Sequence, residues 1–498
     1  MSADPAALHT IGVVGSGAMG AGIAQTALTA GLNVILHDVN AATLTGAREQ
    51  ISTRIERLAQ KGQVSADAVK RLDSQLVLAD KLSALAPAQV VVEAIVERLE
   101  PKQALFAALE KIVDASAVLA TNTSSLSVAA IARNCERRDR ICGMHFFNPV
   151  PLMKLVEVIG APDTSEQTFE TALALSARLD KTAVRVRDVP GFLVNLLGRA
   201  YTTEALHIQH EGVASVAVID QIMREAAGFR MGPFELMDLT GVDVNFPATS
   251  FIYQGFQQDP RLKTTILHEA LFNAGRFGRK SGQGFHSYAA EIAAQANADS
   301  IQASDDLTAF VAEPHPGFAN LESSGLRFAV RETAQVILIS PNGEDATSVC
   351  VRLGLDAGRV VAIDFLGLDR KFLTLMAPVG GDGVVHALAR QLRRLGYHVA
   401  VIKDSPGFVA PRIISMIANL GCEVAQIGVA EVPEDIDVAM KLAQNYPRGP
   451  LEWAEWMGPR RVLEILQQLQ EITGSDRYRP SLWLRRRAML NVPIRTRA

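Results

Sequence analysis

The feature that most constrains this 498-residue chain is the turn Ile11-Gly12-Val13-Val14-Gly15-Ser16-Gly17-Ala18-Met19-Gly20. Gly15 allows a tight strand-to-helix turn, Gly17 lets a pyrophosphate approach the backbone, and Gly20 permits close packing of helix on strand. Ala18 and Met19 complete the turn, where a helix start offers free N–H groups and the positive end of its dipole. Alone, such spacing is a weak signal, because glycine turns also serve packing. The surroundings strengthen it: an apolar run from Thr10 to Val14, a helical stretch from Gly20 to Thr29, Gly31 as its stop, and a second strand, Asn33 to Leu36, followed by Asp38. A carboxylate there accepts hydrogen bonds from a ribose 2′-OH and repels a 2′-phosphate, so NAD rather than NADP is the expected cofactor.

Apolar residues make up 48% of the chain, enough for several cores at this length. The net charge is only −4, with acids and bases interspersed, which speaks against a nucleic-acid or anionic-membrane surface. The run Arg485-Arg486-Arg487 reads as a solvated helix face. Cys135, Cys142, Cys350 and Cys422 lack metal-ligand spacing and are too sparse for a disulfide framework, so no metal and a reducing compartment are expected. Met1 to His9 lacks the basic and apolar regions of a secretion signal, and no apolar run approaches the roughly 18 residues of a membrane span. A cytoplasmic protein is the expectation.

Strands alternate with amphipathic helices to about residue 187, the pattern of an α/β parallel sheet. Strand candidates include Val90 to Val92, Ala117 to Ala120, Ile141 to His145 and Lys154 to Ile159. Helical periodicity takes over for 188–288, and 289–325, rich in Ala, Ser, Asp and Pro, reads as a linker. The text then repeats. Val401-Ile402-Lys403-Asp404-Ser405-Pro406-Gly407-Phe408 echoes Val186-Arg187-Asp188-Val189-Pro190-Gly191-Phe192, and Gly449-Pro450-Leu451-Glu452 echoes Gly232-Pro233-Phe234-Glu235. The expected organisation is a Rossmann-type NAD-binding domain (1–187), a helical domain (188–288), the linker, a degenerate Rossmann-like remnant starting near Arg327 (326–403) and a second helical domain (404–498). The second copy has no glycine turn, and it places Pro411 opposite Asn195 and about Thr374 opposite Glu157.

Two runs at expected strand ends carry chemistry: Thr121-Asn122-Thr123-Ser124-Ser125-Leu126-Ser127, and Met144-His145-Phe146-Phe147-Asn148-Pro149-Val150-Pro151 with Glu157 beyond it. Ligands of open α/β sheets bind past the carboxyl ends of strands. A hydride leaving a carbinol carbon needs a base for the hydroxyl proton, and a histidine of reference pKa about 6.5 suits that transfer near neutrality. His145 is the candidate base, Glu157 the carboxylate that fixes its tautomer, and Ser124 with Asn195 the groups that hold oxygen. Each has a plainer alternative: a hydrogen-bonded core histidine, an exposed strand glutamate, a helix-capping serine and an asparagine satisfying backbone groups.

The glycine turn, Asn122-Thr123-Ser124-Ser125-Leu126-Ser127, His145-Phe146-Phe147-Asn148-Pro149, Lys154-Leu155-Val156-Glu157-Val158 and Pro190-Gly191-Phe192-Leu193-Val194-Asn195 together resemble the L-3-hydroxyacyl-CoA dehydrogenase family in order and spacing. The resemblance covers residues 10 to about 288, and the remainder resembles a degenerate second copy of the family's C-terminal portion. It implies oxidation of an (S)-3-hydroxyacyl-CoA to the 3-oxoacyl-CoA. His145 and Glu157 would be the catalytic pair, Ser124 and Asn195 the substrate contacts, and Asp38, Glu97, Lys102 and Asn122 further NAD contacts. It also implies a CoA site near Ser52 and Lys61, beside which Arg54 and Arg57 share a helix face; the alternative for those bases is a solvated face.

The length and the stretch Gly228 to Leu239 resemble the 3-hydroxyadipyl-CoA dehydrogenases of phenylacetate breakdown, with Arg230 and Arg199 as candidate partners for a distal carboxylate. A 3-hydroxybutyryl-CoA dehydrogenase of short-chain fatty acid metabolism is the alternative. A β-hydroxyacid dehydrogenase would need a lysine near Asn195, and a non-catalytic NAD-binding scaffold is the rival outside enzymes. Single-copy relatives dimerise through the helical domain, which leaves a homodimer open and suggests that segment 404–488 packs on 188–288 as an internal version of that contact.

Overall fold

In the computed structural model, which describes residues 5–288 and 306–496, internal contacts divide the chain into two compact units. One holds the residues through Leu196 together with Ile427–Gln444; the other holds Leu197–Gln426 and Asn445–Ala498. Among the described residues no helix is long and apolar enough to cross a membrane.

The first unit is built on an eight-stranded sheet in the order β3-β2-β1-β4-β5-β6-β7-β8. Its strands are β1 (Thr10–Val14), β2 (Asn33–His37), β3 (Leu76–Ala79), β4 (Val90–Glu93), β5 (Val118–Thr121), β6 (Ile141–Phe146), β7 (Leu155–Gly160) and β8 (Thr182–Arg187). Runs such as Val90-Val91-Val92 are buried throughout, as befits strands covered on both faces. The helix Ala18–Thr29 lays Ile23, Ala24 and Ala27 into the same core as Val13, Val34 and Val92. The sheet departs from the expected parallel pattern at one place, where β7 runs antiparallel to β6. The short Phe147–Lys154 connection explains it, because a parallel crossover needs about a dozen residues or more.

The second unit contains a six-stranded sheet ordered β10-β9-β11-β12-β13-β14. These are β9 (Thr308–Val311), β10 (Arg327–Phe328), β11 (Val336–Ile339), β12 (Val360–Asp364), β13 (Phe372–Met376) and β14 (His398–Val401). Strands β9 and β11 to β14 repeat the pairing of β4 to β8, including one antiparallel pair, β12 with β13. The repeat therefore starts earlier than expected. Residues 306–325, read as linker, carry β9 and the helix Gly317–Ser323, while 289–305 lie outside the described residues. Four strand residues between acids and prolines are too few to show a period.

Two helical segments complete the fold, and within the second unit they pack on each other. Phe229 stacks on Tyr201 at 4.5 Å and on Trp453 at 6.1 Å, with Tyr446 edge-on at 5.1 Å. The arginine run divides: Arg485 and Arg486 are exposed, but Arg487 is buried, lying 3.4 Å from the Trp483 ring centroid. Its guanidinium lies over an aromatic face, so it is not a solvated residue.

Each sheet would end in an open edge, and the chain closes both in the same way. At β8, Arg187 N–H donates to Val429 O at 2.8 Å and Glu431 N–H to Arg185 O at 3.2 Å. At β14, Lys403 N–H donates to Val213 O at 2.9 Å. Each copy thus lends the segment after its long helix to the other copy's edge strand, which removes unpaired N–H and C=O groups from solvent.

Candidate active site

The site grows from the ends of β1, β2, β4, β5 and β6. Gly15 has φ +101°, and a Cβ there would lie 2.5 Å from Ala94 O. A Cβ on Gly20 would overlap Gly15 O, whereas one on Gly17 would meet nothing within 4 Å. Gly15 and Gly20 are thus required by close packing and Gly17 leaves open space, the division of roles that a bound pyrophosphate needs. The helix Ala18–Thr29 starts at Gly17 with no side-chain cap, so its first N–H groups face that space. Asp38 Oδ2 accepts from Ser16 N–H and from Ser16 Oγ, both at 2.8 Å, and Oδ1 accepts from Asn40 N–H at 3.0 Å. Partial burial pushes this carboxyl up, but the Asn40 and Ser16 bonds outweigh it and hold it below its ordinary value. These residues fit NAD: the turn would hold the pyrophosphate and the ionised Asp38 the ribose. Ser16, which locks turn to carboxylate, was not singled out from sequence because nothing in its spacing marks it.

His145 and Glu157 are cross-strand partners in the β6–β7 register. Nδ1 of His145 lies 2.6 Å from Glu157 Oε2. Glu157 is fully buried and His145 nearly so, at 6% exposure, which rules out the exposed-strand alternative for the glutamate. The other oxygen, Oε1, accepts from Leu193 N–H and Val194 N–H, each at 2.9 Å. A buried carboxylate thus caps the head of the helix Val194–His210 and orients the imidazole at once. Phe147 and Phe192 flank the ring, at 4.4 and 5.9 Å between centroids.

The loop after β5 brings up the other two expected residues. Asn195 Nδ2 donates to Ser124 O at 3.4 Å. Ser124 is not a helix cap. Ser127 accepts from Ala130 N–H at 3.2 Å at the head of the helix Val128–Ala132, and Asp188 accepts from Ser127 Oγ and Ala129 N–H. Asn122 Oδ1 accepts from Phe146 N–H at 2.8 Å and so ties the loop to β6. Glu97 Oε1 accepts from Thr123 Oγ1 at 2.6 Å, Ser124 N–H at 2.9 Å and Ser125 Oγ at 2.9 Å. Burial pushes the Glu97 carboxyl up, yet the Thr123 bond and the Lys102 ammonium bring it below its ordinary value.

Three expectations meet a different setting. Lys102, expected as an NAD contact, has no exposed surface: it is clamped between Glu93 at 2.6 Å and Glu97 at 3.2 Å. Arg199 is buried in the helical segment, donating to Thr249 Oγ1 at 2.6 Å and to Asn245 O at 3.4 Å, while Arg230 is exposed. Ser52 is half-buried, and Arg54, Arg57 and Lys61 line the exposed side of the helix Ala41–Gln60 and its end.

A dinucleotide-binding turn and a buried histidine–carboxylate pair on one sheet define the class, an NAD-dependent dehydrogenase. The NAD-binding domain of 3-hydroxyacyl-CoA dehydrogenases matches residues 10–189, and that family's C-terminal domain matches 191–288 and again 407–495. The chain belongs to the 3-hydroxyacyl-CoA dehydrogenase family. It is 39% identical to a 3-hydroxyadipyl-CoA dehydrogenase of Escherichia coli K12, over 97% of this chain and 98% of that one. It is 38% identical to a probable 3-hydroxybutyryl-CoA dehydrogenase of Bacillus subtilis, over 56% of this chain and 98% of the relative. A crystal structure of a 3-hydroxybutyryl-CoA dehydrogenase from Escherichia coli K12 superposes with a TM-score of 0.87 at 38% identity, covering 97% of this chain and 98% of that one.

Proposed function

We propose that this enzyme oxidises (S)-3-hydroxyadipyl-CoA to 3-oxoadipyl-CoA in aromatic-acid breakdown, with His145 as the base. The observation that carries the chemistry is the His145–Glu157 pair, buried and in register at 2.6 Å. NAD, when bound, supplies the hydride acceptor. His145 takes the C3 hydroxyl proton on Nε2, because Nδ1–H is held by Glu157, and the ionised Glu157 stabilises the imidazolium that results. Ser124 and Asn195 hold the reacting oxygen and the neighbouring carbonyl, and Phe147 and Phe192 keep water from the ring. Positioning of this kind is worth several kcal/mol of barrier. The exposed Arg54 and Lys61, with Ser52, are the proposed contacts for CoA phosphates.

Near full-length similarity to a 3-hydroxyadipyl-CoA dehydrogenase supports the adipyl substrate. The 3-hydroxybutyryl-CoA dehydrogenases among the similar proteins support the shorter one. Comparing kcat/KM for the two thioesters decides: at least a tenfold preference for 3-hydroxyadipyl-CoA is expected, and a preference for 3-hydroxybutyryl-CoA would reassign the substrate. Four free, buried cysteines fit a reducing compartment such as the cytoplasm. A homodimer is the proposed assembly, read by sedimentation.

A further inference from the structure

We infer that Glu93 is a positioning residue for the reaction, acting through Lys102 and Glu97 on the Ser124 loop; the inference rests on the proposed role of Ser124. Glu93 ends β4 with no exposed surface. Its Oε1 accepts from Lys102 Nζ at 2.6 Å and Ile95 N–H at 2.7 Å, and its Oε2 accepts from Thr121 Oγ1 at 2.7 Å. Lys102 passes the link on to Glu97 Oε2 at 3.2 Å. That leaves Glu97 Oε1 free to collect Thr123, Ser124 and Ser125. The start of the loop is thus fixed through Thr121 and its middle by a carboxylate that Lys102 contacts.

A buried carboxylate costs several kcal/mol to desolvate and must be compensated. The second copy shows that the fold does not require one here. There the corresponding strand end reads Phe310-Val311-Ala312, and Ile339 stands in the place of Thr121. The next acid, Glu313, pairs with Arg352 instead. The same strand end closes with apolar residues in the copy that carries Asp364 and Thr374 in place of His145 and Glu157. Among the described residues the ionic chain is found in the copy that holds the histidine–carboxylate pair, and it ends on the loop that carries Ser124.

The test is a mutant cycle on the intact enzyme with NAD and 3-hydroxybutyryl-CoA as the probe: Glu93→Gln, Glu97→Gln and both together. Each single variant should lose about 10- to 100-fold in kcat/KM while keeping a thermal midpoint near that of the wild type. The double variant should be within about threefold of Glu97→Gln, because the two act in series. Losses that multiply, or normal turnover in folded Glu93→Gln, overturn the inference. If Glu93→Gln does not fold, Thr121→Val serves: a three- to tenfold loss is expected in the wild-type background and none in Glu97→Gln, and equal losses in both overturn it. Wild-type turnover of the probe reports on the reaction itself, so a failure of that reading stays separate from a failure of the relay.

Discussion

His145 and its counterpart in the second copy show how one register position is put to different uses. Replacing His145 by Gln removes the base but keeps a hydrogen-bonding side chain opposite Glu157, so kcat should fall by about 10²–10⁴-fold with NAD binding nearly intact. Near-normal turnover would remove His145 from the mechanism. In the second copy the β12–β13 register pairs Asp364 with Thr374. One Asp364 oxygen accepts from Leu366 N–H at 3.0 Å, while the other and the Thr374 hydroxyl are buried without a protein partner. Burial pushes the Asp364 carboxyl up to about 6. Its folded value lies above the unfolded one near 3.9, so the folded state holds the extra proton. The contribution of this group to stability is fullest below about pH 4 and is lost as pH rises through 6, about 3 kcal/mol in all. Asp364→Asn should flatten that slope and raise the thermal midpoint at pH 7.5; unchanged slopes would show that the carboxylate finds a partner in solution. The sequence reading names His145, Glu157, Ser124 and Asn195, because their types and order carry the chemistry. Ser16, Glu93 and Thr121 escape it, since each matters only through a partner brought close by the sheet.

Strand direction around the site follows from connection length. The alternating pattern suggests a parallel sheet throughout, but too few residues join β6 to β7 for a crossover, and the pair is antiparallel. The edge closure was not legible, because Val429 and Glu431 meet Arg185 and Arg187 across nearly half the chain. Glu431→Pro deletes an edge hydrogen bond and the Arg185 ion pair at 2.8 Å. It should cost about 1–3 kcal/mol, whereas Glu431→Gln, which loses only a half-exposed pair, should cost under about 1 kcal/mol. Hydrogen exchange at Arg187 N–H checks the assignment: it should quicken in the proline variant alone.

At the scale of the whole molecule, the second copy contributes structure where it has lost chemistry. Arg412, fully buried, donates to Glu204 Oε1 at 2.6 Å and to Glu211 at 2.7 Å, and Arg477 donates to Glu204 Oε2 at 2.6 Å. Burial pushes the Glu204 carboxyl up, but Arg477 and Arg412 outweigh it and bring it down to about 2. Because this folded value is depressed, the cluster's contribution is present above the unfolded value near 4.3 and is lost as pH falls toward 2. Arg412→Met should destabilise by about 1–3 kcal/mol, since buried Glu204 loses one of its two guanidinium partners and keeps Arg477. A thermal midpoint equal to that of the wild type would show that the cluster is dispensable.

The sequence by itself determined the cofactor turn, the class of reaction and the existence of a degenerate repeat, because these depend on residue type and local spacing. The tertiary structure alone decided that the repeat begins at β9, that the copies exchange edge segments, and that Lys102 is buried between Glu93 and Glu97. Each of those depends on which distant groups share a buried, low-dielectric space, and spacing along a chain does not encode that.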